Sequence, residues 1–284
     1  MISRRRLLAL AGVGALAAGC GPDRRRTLAR IKANHVVRVG VANEEPFGYL
    51  DSYGNLAGES PAVAQAVLTG LGVTTLEPVQ RPFGQLIDAL LAGTFDIITA
   101  GMAITPGRCQ RVIFSRPDFV APTAFLVRKG NPRRLGTFAD VLRAAVPVAV
   151  LDSSIEQEAA RAAGIPDTRI KTYDSPGQLY QAVFEGDEPV GALTDISLRN
   201  LIGRHPSSPL EVTAGLPLTG RALSQPAGAF AFRPADTDLR DAFDAGLTTL
   251  RESGEWLRIV TPFGATPANL PPVDLTAAMI CQAS

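Results

Sequence analysis

The residues best suited to chemistry lie in one stretch, Ala100-Gly101-Met102-Ala103-Ile104-Thr105-Pro106-Gly107-Arg108. It follows a short apolar run, Phe95-Asp96-Ile97-Ile98-Thr99, which reads as a buried parallel strand. Thr105-Pro106 has the form of a helix start, with a hydroxyl that can cap and a proline at the first helical position. Residues 101–105 are therefore expected to form a strand-to-helix loop, with Arg108 in the first helical turn. Free backbone N–H groups, the positive end of a helix and a guanidinium would converge there, and together they suit a carboxylate. On these residues alone a second reading stands beside it, in which Arg108 pairs with a structural acid.

Other candidate chemistry is sparse. The two histidines, His35 and His205, have no metal-ligand spacing, so no metal site is expected. Of the three cysteines, Cys109 directly follows Arg108 and Cys281 lies near the C-terminus. A bridge between them would brace the Arg108 turn; two free thiols fit the spacing equally well.

The elements that must position Arg108 alternate. A small helix over 27–34 feeds a strand over 36–42. The loop Asn43-Glu44-Glu45-Pro46-Phe47-Gly48-Tyr49 follows at the strand's carboxyl end, where open α/β sheets bind ligands. Ser60-Pro61 starts a second helix with Val63, Val67, Leu68 and Leu71 on one face, and Gly72 stops it. A strand over 73–79 and a helix over 84–92 come next. After Gly130-Asn131-Pro132 the alternation restarts: helix 138–144, strand 146–151, a turn at Asp152-Ser153-Ser154, helix 155–163, strand 170–173, a helix opened by Ser175-Pro176, and a strand over 190–194 ending at Asp195. Pro82-Phe83-Gly84-Gln85-Leu86 is faintly echoed by Ser175-Pro176-Gly177-Gln178-Leu179, so two similar α/β lobes are expected. The apolar run 226–232 crosses back, and Leu239, Phe243, Leu247 and Leu250 mark an amphipathic helix. The crossings at 123–127 and 229–232 would form a two-strand hinge beside a cleft. This divides the chain into lobe 1 (36–124 and 229–284) and lobe 2 (125–228).

The N-terminal residues read as a leader. Arg4-Arg5-Arg6 precedes an apolar segment too short to span a bilayer, which ends Leu16-Ala17-Ala18-Gly19-Cys20. Residues 1–19 then form a signal peptide similar to lipoprotein leaders, with Cys20 lipidated and 20–35 a tether and short helix. The arginine run also resembles a twin-arginine export signal. Removing three arginines and no acid shifts the formal net charge from +1 to −2. No basic stripe with interleaved aromatics suggests nucleic acid. The composition, 46% apolar and 19% charged, is that of an ordinary globular chain.

Taken together, the leader, the two α/β lobes and the Arg-bearing loop resemble the solute-binding proteins of polar-amino-acid ABC transporters. The carriers are Val37-Arg38-Val39-Gly40-Val41, Gly93-Thr94-Phe95-Asp96 running into Gly101–Arg108, and Gly228-Ala229-Phe230-Ala231-Phe232. Within that family, Asn43–Tyr49, Gly101–Cys109 and Pro262-Phe263-Gly264 are most similar to the ectoine- and hydroxyectoine-binding proteins. The resemblance implies a type II periplasmic-binding-protein fold with a ligand cleft between lobes. It implies a small zwitterionic ligand, delivery to an ABC permease, a monomer lipid-anchored on the outer face of the cell membrane, and no cofactor.

Arg108 and the N–H groups of Gly101 and Ala103 would hold the ligand's carboxylate. Glu44 would pair with its cationic end, although Glu45 beside it could be the ligand-facing acid. Phe47 and Phe83 would stack on the ligand, Ile155 and Glu156 of the second lobe would close over it, and Asp195 matches the place where relatives hold an ammonium. Ala103 stands where ectoine binders usually carry a third aromatic, which leaves a polar amino acid as an alternative ligand. An enzyme on the same scaffold, similar to the dehydratases acting on cyclic acids, would need a poised acid or base. Glu44, Glu156 and Asp195 are the candidates, without a histidine in the loops. A sensor ectodomain would need a membrane-spanning helix after the lobes, and none follows Pro262.

Overall fold

The computed structural model describes residues 27–216 and 226–282. The expected leader and the lipidation site Cys20 lie outside them. Among the described residues no helix is long and apolar enough to cross a membrane.

The chain opens with α1 (Thr27–Asn34), β1 (Val36–Val41), the hairpin β2 (Tyr49–Leu50) and β3 (Leu56–Ala57), α2 (Glu59–Thr69), β4 (Thr75–Gln80) and α3 (Leu86–Leu91). Then come β5 (Ile97–Ala103), the single turn α4 (Pro106–Cys109), β6 (Ile113–Phe114) and β7 (Phe119–Val120). A second unit follows: β8 (Thr123–Arg128), α5 (Phe138–Arg143), β9 (Val148–Leu151), α6 (Ile155–Ala162), β10 (Ile170–Tyr173), α7 (Pro176–Glu185), β11 (Gly191–Thr194), α8 (Asp195–Arg204) and β12 (Leu210–Val212). The chain returns through β13 (Ala227–Phe232), α9 (Thr237–Glu252), α10 (Glu255–Val260) and α11 (Ala277–Cys281).

These strands form two large sheets, ordered β4-β1-β5-β13-β6 and β10-β9-β11-β8-β12. Both begin with parallel pairs, and then β5–β13 and β11–β8 run antiparallel. The lobes thus share one topology, and the echoed segments Pro82–Leu86 and Ser175–Leu179 lead into the matching strands β5 and β11. Each sheet is apolar on both faces, as helix-covered strands must be. On β8, Phe125 and Val127 join one core cluster, and Ala124 and Leu126 the opposite one, following the two-residue period.

Helix α9 buries Leu239, Phe243 and Leu247, spaced four apart, each contributing roughly 2 kcal/mol. Its Gly246 lies so near Val67 of α2 that a Cβ would come 2.8 Å from Val67 Cγ1. Asp96, fully buried at the foot of β5, is gripped by Arg30, Arg38 and Arg233 at 2.7, 3.1 and 3.2 Å and is structural.

Two expectations need correction. Residues 123–127 and 229–232 are not paired as a hinge; they are integral strands of different sheets, β8 and β13. The crossings flank them. The Ala121 N–H donates to the Pro226 carbonyl (3.0 Å), and the Leu216 N–H to the Thr123 carbonyl (2.7 Å). Residues 101–103, expected in a loop, still belong to β5, because Met102 and Ala103 find partners in Ala229 and Gly228. Glycine reads as the strand's end, and cross-strand pairing overrides it.

Candidate functional site

Arg108 is placed as its local sequence dictates. The Thr105 side chain accepts the Arg108 N–H (3.3 Å), and Pro106 occupies the first turn of α4. A one-turn helix is not stable by itself. A Cys109–Cys281 disulfide ties it to α11, with the two Cα atoms 5.8 Å apart. The guanidinium is buried and bridges the sheets. Nη1 donates to the Ala103 carbonyl and Nη2 to the Ser153 carbonyl, both at 2.7 Å. It also lies over the Phe83 ring, 5.3 Å from the centroid. Among the described residues no carboxylate is at ion-pair distance, so the surface-acid reading of Arg108 does not hold. Burial pushes its pKa below the ordinary arginine value, while Glu158, Glu156 and Glu44 oppose the shift.

Glu44 faces this cation from the end of β1. The loop folds back on itself, with the N–H groups of Phe47 and Gly48 donating to the Glu44 carbonyl (2.8 and 3.0 Å) across a cis Glu45–Pro46 peptide. The Glu44 side chain turns inward and is 6% exposed; its Oε1 accepts the hydroxyl of Ser197, from α8 of the second lobe, at 3.0 Å. Burial pushes its carboxyl up to about 7, with Ser197 and Arg108 acting against and Glu156 with the shift. Glu45 turns outward to Arg204 (2.6 Å). The structure thereby separates two neighbouring acids that the sequence leaves equivalent.

The second lobe supplies the facing wall. Ser154 caps α6 by accepting the Gln157 N–H (3.2 Å), and Gln157 reaches back to the Ser153 N–H (2.9 Å), which fixes the loop that meets Arg108. Ile155 is half-buried in the first turn of α6. Glu156 is buried, and its Oε1 accepts the Thr123 hydroxyl (3.0 Å); desolvation raises its pKa. Gly84, beside Phe83, lies so close to this loop that a Cβ would come 2.6 Å from Asp152 Oδ2.

Four expected contacts are arranged differently. The Gly101 N–H does not point to the site but donates to Ser60 Oγ (3.2 Å), and Ala103 offers Arg108 its carbonyl rather than an N–H. Phe47 is 3% exposed and stacks on Phe119 at 4.7 Å within the core of the first sheet. Asp195 begins α8 and lies 3.5 Å from Arg199 one turn on, with burial raising its pKa; its Oδ1 is buried and has no partner among the described residues. Sequence reasoning missed Ser60, Thr123 and Ser197, since a lone hydroxyl within a helix or strand carries no local signal.

The assembled site opposes one buried cation, Arg108, to two buried acids, Glu44 and Glu156, with Phe83 as an aromatic side wall. Such a set of opposed charges could pair with a small molecule carrying charges of both signs. Among the described residues no cluster of His, Cys, Asp and Glu could hold a metal.

Comparison with known proteins agrees with this architecture. Residues 37–266 match the family model of bacterial extracellular solute-binding proteins, family 3. A probable amino-acid ABC transporter periplasmic-binding protein, y4tE of Sinorhizobium fredii, is 30% identical over 259 residues, covering 90% of this chain and 86% of its own. The crystal structure of EhuB in complex with hydroxyectoine superposes with a TM-score of 0.82 at 30% identity, covering 90% of this chain and 98% of that one. The ancestral amino acid-binding protein AncCDT-1, a precursor of cyclohexadienyl dehydratase, superposes with a TM-score of 0.74 at 26% identity, covering 84% and 100%. With matching strand order, a two-lobed architecture and a family model spanning most of its length, the chain belongs to the bacterial extracellular solute-binding proteins, family 3.

Proposed function

We propose that this protein is the extracytoplasmic solute-binding component of an ABC importer, that it binds ectoine or hydroxyectoine between its lobes, and that it hands the ligand to a membrane permease. The observation that carries the reading is the buried Arg108 guanidinium, which reaches both lobes and has no ion-paired acid among the described residues. A ligand carboxylate would be its counter-ion. Glu44, ionised when a cation approaches, would take the delocalised positive end, and the Phe83 ring would lie along the ligand. Closure follows because groups from both lobes contact one ligand. Lipid attachment at Cys20 and a monomeric state belong to this proposal. So does the absence of catalysis.

The test is calorimetry of the mature chain against ectoine, hydroxyectoine and a panel of polar amino acids. Micromolar or tighter binding of hydroxyectoine, lost in Arg108→Ala, is expected. Binding of an amino acid instead would move the ligand to that class, with Ala103 as the point of departure. A second reading, an enzyme of the dehydratase kind, draws on Glu44, whose carboxyl near 7 suits a general base. Conversion of a bound cyclic acid, abolished by Glu44→Gln, would establish it.

A further inference from the structure

Helix α2 begins with Glu59 and Ser60, and these two residues hold two separate site segments at once. Their N–H groups donate to the Pro46 and Phe47 carbonyls (2.8 and 3.0 Å), which fixes the Glu44 loop. The Ser60 hydroxyl accepts the Gly101 N–H (3.2 Å) and donates to Glu59 Oε2 (2.8 Å). Gly101 has a φ of 60° and lies where β5 slips its register against β13. A side chain there would strike Phe47, with a Cβ 2.6 Å from its Cγ. Two residues on, Ala103 presents the carbonyl that seats Arg108.

Behind Ser60 stands a second acid. Glu59 and Asp118 are 4% and 1% exposed, and each charge acts on the other. Glu59 Oε1 and Asp118 Oδ2 are buried and have no hydrogen-bond partner among the described residues. Two acids buried together in one dry site repel when both are ionised, and a proton between them relieves the repulsion and gives both orphaned oxygens a partner.

We propose that Glu59 and Asp118 share one proton and that this pair, acting through Ser60, is a positioning device that holds the Gly101 bulge and hence the seat of Arg108.

The surrounding groups say where the proton resides. Trp256 of α10 donates its indole N–H to Asp118 Oδ1 (2.8 Å). Arg251 of α9 donates to the carbonyls of Pro117 and Asp118, and its charge favours ionised Asp118; Arg116 and Asp244 lie beyond it. Among the described residues the Glu59 carboxyl accepts only the Ser60 hydroxyl, so Asp118 is the anion and Glu59 the acid. Burial and the Asp118 charge push the Glu59 pKa well up, in keeping with this assignment. A proton retained on folding but released by the unfolded chain makes stability fall as pH rises above about 4.5, the ordinary glutamate value.

The experiment compares Glu59→Gln and Ser60→Ala with the unaltered mature chain. A glutamine mimics the protonated acid, since its amide can donate to Asp118 and its carbonyl can accept from Ser60. Glu59→Gln should therefore keep stability at pH 6 and make the fall in stability between pH 5 and 8 shallower. Ser60→Ala should speed hydrogen exchange of the Gly101 amide about tenfold, with Ile98 unchanged, and Glu59→Gln should not. With hydroxyectoine as the probe, Ser60→Ala should weaken binding about tenfold; this arm alone rests on the proposed function. An unchanged pH slope in Glu59→Gln, or unchanged Gly101 exchange in Ser60→Ala, overturns the inference. If the unaltered chain ignores hydroxyectoine, the ligand assignment fails, and the exchange and pH measurements still decide the shared proton.

Discussion

Strands β5 and β11 hold the same place in their sheets, each parallel to one neighbour and antiparallel to the strand that adjoins a crossing. Their ends differ. β5 slips register at a positive-φ glycine and passes into a single helical turn that carries Arg108. β11 runs straight into α8, whose ten residues bury Ile196, Leu198 and Leu201 and set Ser197 against Glu44. The cation is thus delivered by irregular backbone that needs outside support from Thr105, Ser60 and a disulfide. The second lobe's hydroxyl is delivered by a regular helix that its own packing holds. The difference teaches that identical topology leaves the chemistry free to be set where each strand stops.

The contrast can be broken at several points. The largest effect is expected from the disulfide. Cysteines 172 residues apart close a long loop, so Cys281→Ser should lower the unfolding free energy by roughly 4 kcal/mol, read from denaturant melts with and without reductant. Equal melts would mean that α4 is held by packing alone, as α8 is.

Arg108→Ala should cost about 3 kcal/mol in ligand affinity, more than a hundredfold by calorimetry. Arg108→Lys should lose most of this too, because an ammonium cannot reproduce the planar fork between Ala103 and Ser153. A loss below tenfold would move the anchor to the second lobe.

Glu44 should give opposite pH trends in two measurements. Its carboxyl is raised to about 7, so the unliganded protein retains a proton that the unfolded chain has released. Glu44 should then contribute a fall in stability of about 2 kcal/mol from pH 5 to 7, and Glu44→Gln should remove that share. Affinity for a cationic ligand group needs the carboxylate and should rise over the same range. Parallel trends would remove Glu44 from the cation's side.

The smallest effect belongs to the Glu45–Arg204 pair across the cleft rim, which is partly exposed. Arg204→Ala should weaken binding by about 0.5 kcal/mol at low salt and by nothing measurable in 1 M salt.

Much of the fold was legible because its signals are local. α1, β10 and the start of α7 fall where periodicity and capping place them, and Thr105 and Ser175 both cap as their Thr-Pro and Ser-Pro pairs suggest. β2, β3 and β12 are two or three residues long and exist only through pairing, so no periodicity marks them. Ser60-Pro61 misleads for a physical reason. α2 starts one residue earlier, at Glu59, and the hydroxyl expected to cap it is spent on Gly101 and Glu59. At the site, Arg108 was readable from its turn. Which of Glu44 and Glu45 turns inward was not, since the path of the loop decides it. Phe47 and Phe83 looked alike; one packs on Phe119 and the other lies beneath a guanidinium.

The paired crossings at Ala121–Pro226 and Thr123–Leu216 carry a last consequence. The chain leaves and rejoins the first sheet at neighbouring points, so the whole second unit is mounted on it like an interchangeable cassette. Residues 123–216 can vary as a block without moving the start of any strand in the first sheet. Substitutions at Glu156 and Ser197 would then alter the wall facing Arg108 without moving the strand that carries it.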